Sequence, residues 1–170
     1  MTVLSLTPSQ TVGPYFAIGL RRRTENEVVP PGTEDALVVS GRVLDGDGRP
    51  VPDALVEIWQ ADPSGAYREG YGWGRCGTDD EGRYSFVTAK PGSVQGQAPH
   101  VVVLVFMRGL LKPVLTRMYF PDEAAANAAD PVLTGLPDGS RRRLVAAEDG
   151  DGLRFDVRMQ GDDETPFFTL

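Results

Sequence analysis

The chain has 170 residues, 41% of them hydrophobic and 24% charged, with a net charge of −7, one cysteine (Cys76) and one histidine (His100). That length favours a single domain able to bury roughly two thirds of its unfolded surface without staples. The acidity disfavours nucleic acid as a partner, a lone cysteine excludes an internal disulfide and fits a reducing cytosol, and one His with one Cys cannot build the usual zinc sites within one chain. A Ser-His-Asp or Cys-His centre would have to use His100. Residues 1–6 lack the basic and apolar regions of a signal peptide. The longest apolar run, Val101 to Met107, is too short to span a membrane. These features predict a cytoplasmic protein without membrane or nucleic-acid partners.

Residues 1–36 hold Gly13-Pro14, the basic run Arg21 to Arg23 and Pro30-Pro31-Gly32. Their pattern predicts an extended arm. From residue 37 to 170 the pattern predicts one β-rich domain. Leu37, Val39, Gly41 and Val43 share a strand face, followed by the turn Asp45-Gly46-Asp47-Gly48. Ala54, Val56 and Ile58 share one face of the next strand, and Leu55, Glu57 and Trp59 share the other. Tyr84, Phe86 and Thr88 alternate after a second acidic turn, Asp79 to Gly82. Val101 to Phe106, apolar on both faces, reads as a central strand, and Thr116 to Phe120 as another. Asp122 to Ala129 looks helical, with Asp122 as candidate N-cap. The cleanest alternation is Leu153, Phe155, Val157 and Met159 against Arg154, Asp156, Arg158 and Gln160. Short strands separated by turns predict an antiparallel β-sandwich, mostly β, with an extended N-terminal arm and one or two short helices.

Two groups of motifs bear on function. Gly41-Arg-Val-Leu-Asp-Gly-Asp-Gly-Arg-Pro-Val-Pro-Asp-Ala-Leu-Val-Glu-Ile-Trp59 and Thr78-Asp-Asp-Glu-Gly-Arg-Tyr-Ser-Phe86 are similar to transthyretin-like sandwiches. Such modules often do no chemistry. The second group is Glu57 to Asp62, Gly65-Ala-Tyr67, Gly74 to Asp79, Thr88-Ala-Lys-Pro-Gly92, Ala98-Pro-His100, Thr116 to Phe120, Arg154-Phe-Asp156 and Gln160-Gly161. In order and spacing it resembles the intradiol ring-cleavage dioxygenases. The opening Thr7 to Tyr15 and the ending Gln160 to Phe168 resemble the iron-free subunit of the family's two-subunit members, which open the ring of a dihydroxybenzoate.

The resemblance implies a ferric centre built from two tyrosines and two histidines. Phenolate is a hard anionic donor that stabilises Fe(III), and neutral imidazole completes the shell. The first tyrosine position is Tyr67 and the second is Val94, after Lys90-Pro91-Gly92-Ser93. The His-x-His positions are His100 and Val102, a spacing that puts both on one strand face. Valine offers no lone pair. The expectation is that this chain holds no metal, with Tyr67 and His100 as remnants and Val94 and Val102 as replaced ligands. Fe(III) would sit on an iron-bearing beta subunit in an obligate heteromer, with a small aromatic acid and O2 as substrates.

Taken alone, Tyr67 and His100 read as a packed tyrosine and a satisfied buried histidine. Cys76 reads as a small buried apolar residue, and Arg21 to Arg23 and Arg141 to Arg143 as solvated or interface charges. The resemblance gives two features a site role. Thr11, Gly13, Pro14 and Tyr15 would line the partner's cavity, and Arg108 would meet the substrate carboxylate, which suits arginine's planar fork. The competing readings are a non-catalytic transthyretin-like binding or assembly module, and a self-sufficient enzyme with another metal or none.

Overall fold

The computed structural model describes residues 6–20, 24–30 and 32–169, so the basic run Arg21 to Arg23 lies outside the described residues. The first element is a short helix, α1 (Tyr15–Leu20). Nine strands follow: β1 (Ala36–Leu44), β2 (Leu55–Trp59), β3 (Trp73–Gly77), β4 (Arg83–Ala89), β5 (His100–Phe106), β6 (Val114–Tyr119), β7 (Ala147–Asp149), β8 (Gly152–Arg154) and β9 (Val157–Arg158). Between β6 and β7 lie α2 (Ala124–Ala129), α3 (Pro131–Thr134) and α4 (Asp138–Arg143). One sheet runs β4-β1-β8-β7 with β9 also on β1, and the other runs β3-β2-β5-β6.

The strands form where alternation lets one face be buried. Val56 and Ile58 on β2, Val101, Val103 and Val105 on β5, and Met118 on β6 face Val39, Val43, Tyr84 and Phe86 of the other sheet. These side chains form one continuous core between the sheets, the packing that defines a sandwich. β5 is central, hydrogen-bonded to β2 and β6 on either side, as its apolar run predicts.

The strongest alternation, residues 153–160, does not give one strand. It is split into β8 and β9, both pairing with β1 in parallel. Between them the Asp156 carboxylate accepts the Arg42 N–H at 3.0 Å, taking the place of a ladder carbonyl. Gly41 makes this crossing possible. A Cβ there would collide with the Phe155 carbonyl, which accepts instead from the buried Tyr84 hydroxyl at 2.5 Å.

The described residues hold four short helices. Residues 15–20 are helical rather than irregular, and Asp122 does not cap α2. Glu123 occupies the N-cap place without a side-chain cap bond, while Asp122 accepts from Lys90 Nζ at 2.6 Å. The effective cap is Asp130 of α3, which is fully buried. Its Oδ1 accepts the Val132 and Leu133 N–H groups at 2.8 and 2.9 Å, and its Oδ2 accepts that of Ala98 at 2.9 Å.

Candidate functional site

The outer face of the β3-β2-β5-β6 sheet carries the residues that the core excludes. Register places Trp73, Trp59, Val102 and Arg117 side by side across the four strands. The next row is Arg75, Glu57, Leu104 and Leu115. Arg75 forks onto Glu57 Oε1 at 2.8 and 2.6 Å and lies 4.9 Å from the Trp73 ring.

Two loops carry Tyr67 and Val94, which the resemblance assigns to ligand positions, toward this face. Asp62 Oδ1 accepts from Ser64 N at 2.9 Å, Ser64 Oγ at 2.6 Å and Ala66 N at 3.0 Å, while Oδ2 pairs with Arg68. The Ser64 hydroxyl, then the Ala66 N–H and Arg68, hold this carboxyl well below the usual carboxylate range. This Asx-type turn presents Tyr67, whose ring lies 4.7 Å from that of Trp59. The Lys-Pro-Gly loop docks alongside, with the Gly92 N–H donating to the Asp62 carbonyl at 2.9 Å. Val94 then forms a bridge with Gln97. Gln97 Oε1 accepts from Arg117 at 2.7 Å, and Arg117 stands opposite Val102.

His100 is on the same face of β5, two residues before Val102, but it is 4% exposed. Its Nδ1 is 2.8 Å from the Ala98 carbonyl. A carbonyl only accepts, so the proton belongs on Nδ1. Burial, the larger effect, and the nearby Arg117 charge push the His100 pKa down despite that bond. The imidazole is 5.7 Å from the Tyr119 ring, whose hydroxyl is pushed up to about 12, chiefly by burial. Tyr67 and His100 therefore have different ring partners.

Of the four positions that the resemblance assigns to ligands, Tyr67 and Val94 stand on loops and His100 and Val102 on β5. Their chemistry does not fit ferric iron. Two of the four offer no donor, and the Arg117 guanidinium opposite Val102 adds a fixed positive charge that disfavours a cation. Among the described residues, no group of three or more His, Cys, Asp or Glu side chains could hold a metal.

The second set of predicted residues lies at the other end of β5. Thr11 Oγ1 accepts the Gly13 N–H at 3.1 Å, and Gly13 at φ 67° leads through Pro14 into α1. Phe16 of α1 meets Phe106, the last residue of β5, at 5.3 Å between rings. Tyr15 is 66% exposed. Arg108 follows Phe106 by two residues, its side chain 60% exposed, and its Nε pairs with Asp53 Oδ2 at 3.2 Å. Its remaining guanidinium nitrogens have no protein partner among the described residues. From His100 to Phe106 the strand rises six residues, or about 20 Å. The structure brings α1 and Arg108 to the end of β5, and His100 and Val102 lie toward its start.

Sequence reasoning passed over Asp53, Arg117 and Trp59. Asp53 has no pattern signal, because its meeting with Arg108 crosses two loops. Arg117 and Trp59 do have one, since each faces away from the core in its strand's alternation. Cys76 is half-buried at the edge of the core. Arg141 is spent locally, donating to the Leu136 and Thr134 carbonyls at 2.7 and 3.1 Å.

A dioxygenase family profile matches residues 13–161. The chain is 44% identical to the protocatechuate 3,4-dioxygenase alpha chain of Burkholderia cepacia, over the whole of both chains. It is 37% identical to the beta chain of the same organism's enzyme, over 78% of this chain and 67% of that one. The dioxygenase domain of a carbohydrate-binding fusion protein from Streptomyces sp. SirexAA-E superposes with a TM-score of 0.63 at 26% identity, covering 92% of this chain and 99% of that one. The chain belongs to the intradiol dioxygenase family. No described helix is long and apolar enough to cross a membrane.

Proposed function

We propose that this chain is the iron-free alpha subunit of a heteromeric protocatechuate 3,4-dioxygenase. Such an enzyme uses O2 to cleave 3,4-dihydroxybenzoate between its hydroxyl-bearing carbons, giving 3-carboxy-cis,cis-muconate. One observation carries the reading: Val94 and Val102 stand at two of the four positions that the resemblance assigns to iron ligands, in a chain similar to an alpha chain from end to end. Fe(III) then belongs to a beta subunit, where it would bind the catecholate and make its ring reactive toward O2.

This chain's own contribution is to complete the partner's cavity. Residues 1–36 act as the arm, with Thr11, Gly13, Pro14 and Tyr15 as its lining. Arg108 faces the benzoate carboxylate. The substrate's catechol oxygens must point at the metal, so the carboxylate points away, and a buried carboxylate needs a partner. The separation of this group from the remnant ligand positions supports a role toward a neighbouring subunit's site rather than toward a site of its own. The exposed aromatics Trp59, Trp73 and Tyr67 support an obligate interface, which should bury more than roughly 2,000 Å². A reducing cytosol suits the single cysteine. A transthyretin-like assembly module would have no need of the Thr7 to Tyr15 arm.

Purification of the chain alone and with a cognate beta subunit tests the reading. The expected result is a stoichiometric complex that carries iron and opens protocatechuate, and a lone chain with neither the metal nor its visible phenolate-to-iron band. A red-brown, iron-loaded preparation of the lone chain would overturn it.

A further inference from the structure

A cleft of about 340 Å³ lies far in sequence from the arm, between α4, the β8–β9 crossing and the C-terminal segment. Arg142, Arg143, Arg154 and Arg158 line it, against the two carboxylates Asp156 and Asp163. Four positive and two negative charges leave a formal +2 in a chain whose net charge is −7. That concentration runs against the acidity of the rest of the molecule.

These arginines are not equally engaged. Arg154 is committed to Asp156, with Nη2 2.5 Å from Oδ2. Arg143 is engaged through both Nη atoms, with Nη2 donating to Ser140 Oγ at 3.4 Å. Its Nη1 donates to the Asp162 carbonyl at 2.7 Å and is 4.0 Å from an Asp163 carboxylate that is 81% exposed. Its Nε is buried and has no hydrogen-bond partner. A buried donor on a charged group costs free energy until something accepts from it. Arg142 and Arg158 are exposed and form no ion pair among the described residues. The negative end of α4 accounts for arginines in its last turn, but not for Arg154 and Arg158, which arrive from the sheet.

We propose that this cleft is a binding site for a small, multiply charged oxyanion, with Arg142, Arg143 and Arg158 as its donors. Phosphate and polycarboxylates share the chemistry required: several oxygens, at least two negative charges, and acceptor geometry matched to guanidinium forks. The two exposed, unpaired arginines supply charge and open guanidinium forks, and Arg143 adds its charge at the cleft wall. The proposal does not depend on the ring-cleavage reading, because neither the arm nor Arg108 takes part.

The test is titration of the full chain with inorganic phosphate and, separately, with citrate, at an ionic strength held constant with sodium chloride. Calorimetry and the thermal midpoint are the readouts. Saturable binding that raises Tm above the chloride control is expected for at least one of the two. Phosphate alone would assign a tetrahedral oxyanion, citrate alone a polycarboxylate, and either supports the site. Both Arg142 and Arg158 are exposed, so an R142Q/R158Q variant should fold normally and bind about tenfold or more weakly, the scale of losing charge-assisted bonds. If the double variant is unstable, the single variant R158Q decides the matter, with binding expected to weaken severalfold. No saturable binding beyond chloride, or unchanged affinity in the variants, would overturn the proposal.

Discussion

The two faces of the β3-β2-β5-β6 sheet are made by the same strands and differ in completion. On the inner face Val56, Val103, Val105 and Met118 are buried to 3% exposure or less, and every apolar group has a neighbour within the chain. On the outer face Trp59 and Trp73 are 47% and 44% exposed, and Tyr67 is 42% exposed. Single exposed apolar residues are ordinary, but neighbouring aromatics on one sheet face mark an interaction surface. The inner face holds this chain together. The outer face, with α1 at one end, leaves these aromatics part-exposed.

The largest effect expected is on the finished face. Met118→Ala removes a fully buried side chain and should cost about 3 kcal/mol in urea unfolding of the isolated chain. A loss below about 1 kcal/mol would mean that the inner face is looser than its burial implies. Trp59→Ala should reverse the pattern. The isolated chain should lose no more than about 1 kcal/mol, the scale of the stacking on Tyr67. Association with the beta subunit should weaken by about 2 kcal/mol, as for an interface anchor. Equal losses in both assays would break the contrast between the faces.

A smaller effect is expected at the arm end. Arg108→Ala in the assembled complex should lower kcat/KM for protocatechuate about tenfold, the scale of one charge-assisted contact. Activity on plain catechol, which has no carboxylate, should be spared. Arg108→Lys should restore the charge without the fork and recover only part of the loss. The Asp53 contact gives the alternative outcome. If Arg108 serves chiefly to neutralise that nearly buried carboxylate, both substrates suffer equally, and Asp53→Asn rescues the Ala variant.

The smallest effect belongs to His100, which is on the outer face but buried. Its pKa is lowered from 6.5 on folding, so below pH 6.5 the unfolded chain binds more protons than the folded one. Stability should therefore fall as the pH drops from 6.5 toward the depressed value. His100→Gln should flatten that part of the profile. An unchanged slope in the variant would show that His100 does not set the dependence in this range, since the depressed Asp62 carboxyl acts only at lower pH, below its unfolded value of 3.8.

Much of the sandwich is legible in the sequence, because period-2 alternation is a direct record of which side of a strand is buried. Leu37 to Val43, Val56 with Ile58, Tyr84 to Thr88 and the central Val101 to Phe106 are where the pattern puts them. That Val94 and Val102 carry no donor atom is equally legible, since donor chemistry is a property of the residue itself. Other features are not local. β3 escapes notice because Trp73-Gly-Arg-Cys-Gly77 has poor strand propensity and exists by pairing with β2. The 153–160 alternation breaks in two because Gly41, more than a hundred residues earlier, lets the Phe155 carbonyl approach. Asp122 has the residue type of a cap yet is drawn to Lys90, while Asp130 caps α3 and holds the Ala98 N–H across the fold. The pairing of Arg108 with Asp53, the distance of α1 from His100 and the gathering of four arginines at one cleft all depend on segments far apart in the chain. Composition and spacing determined how few candidate ligand side chains this chain has and which faces it buries. Only the tertiary structure decided which charges meet, because electrostatic partners are chosen by proximity in space, and proximity is set by the packed core.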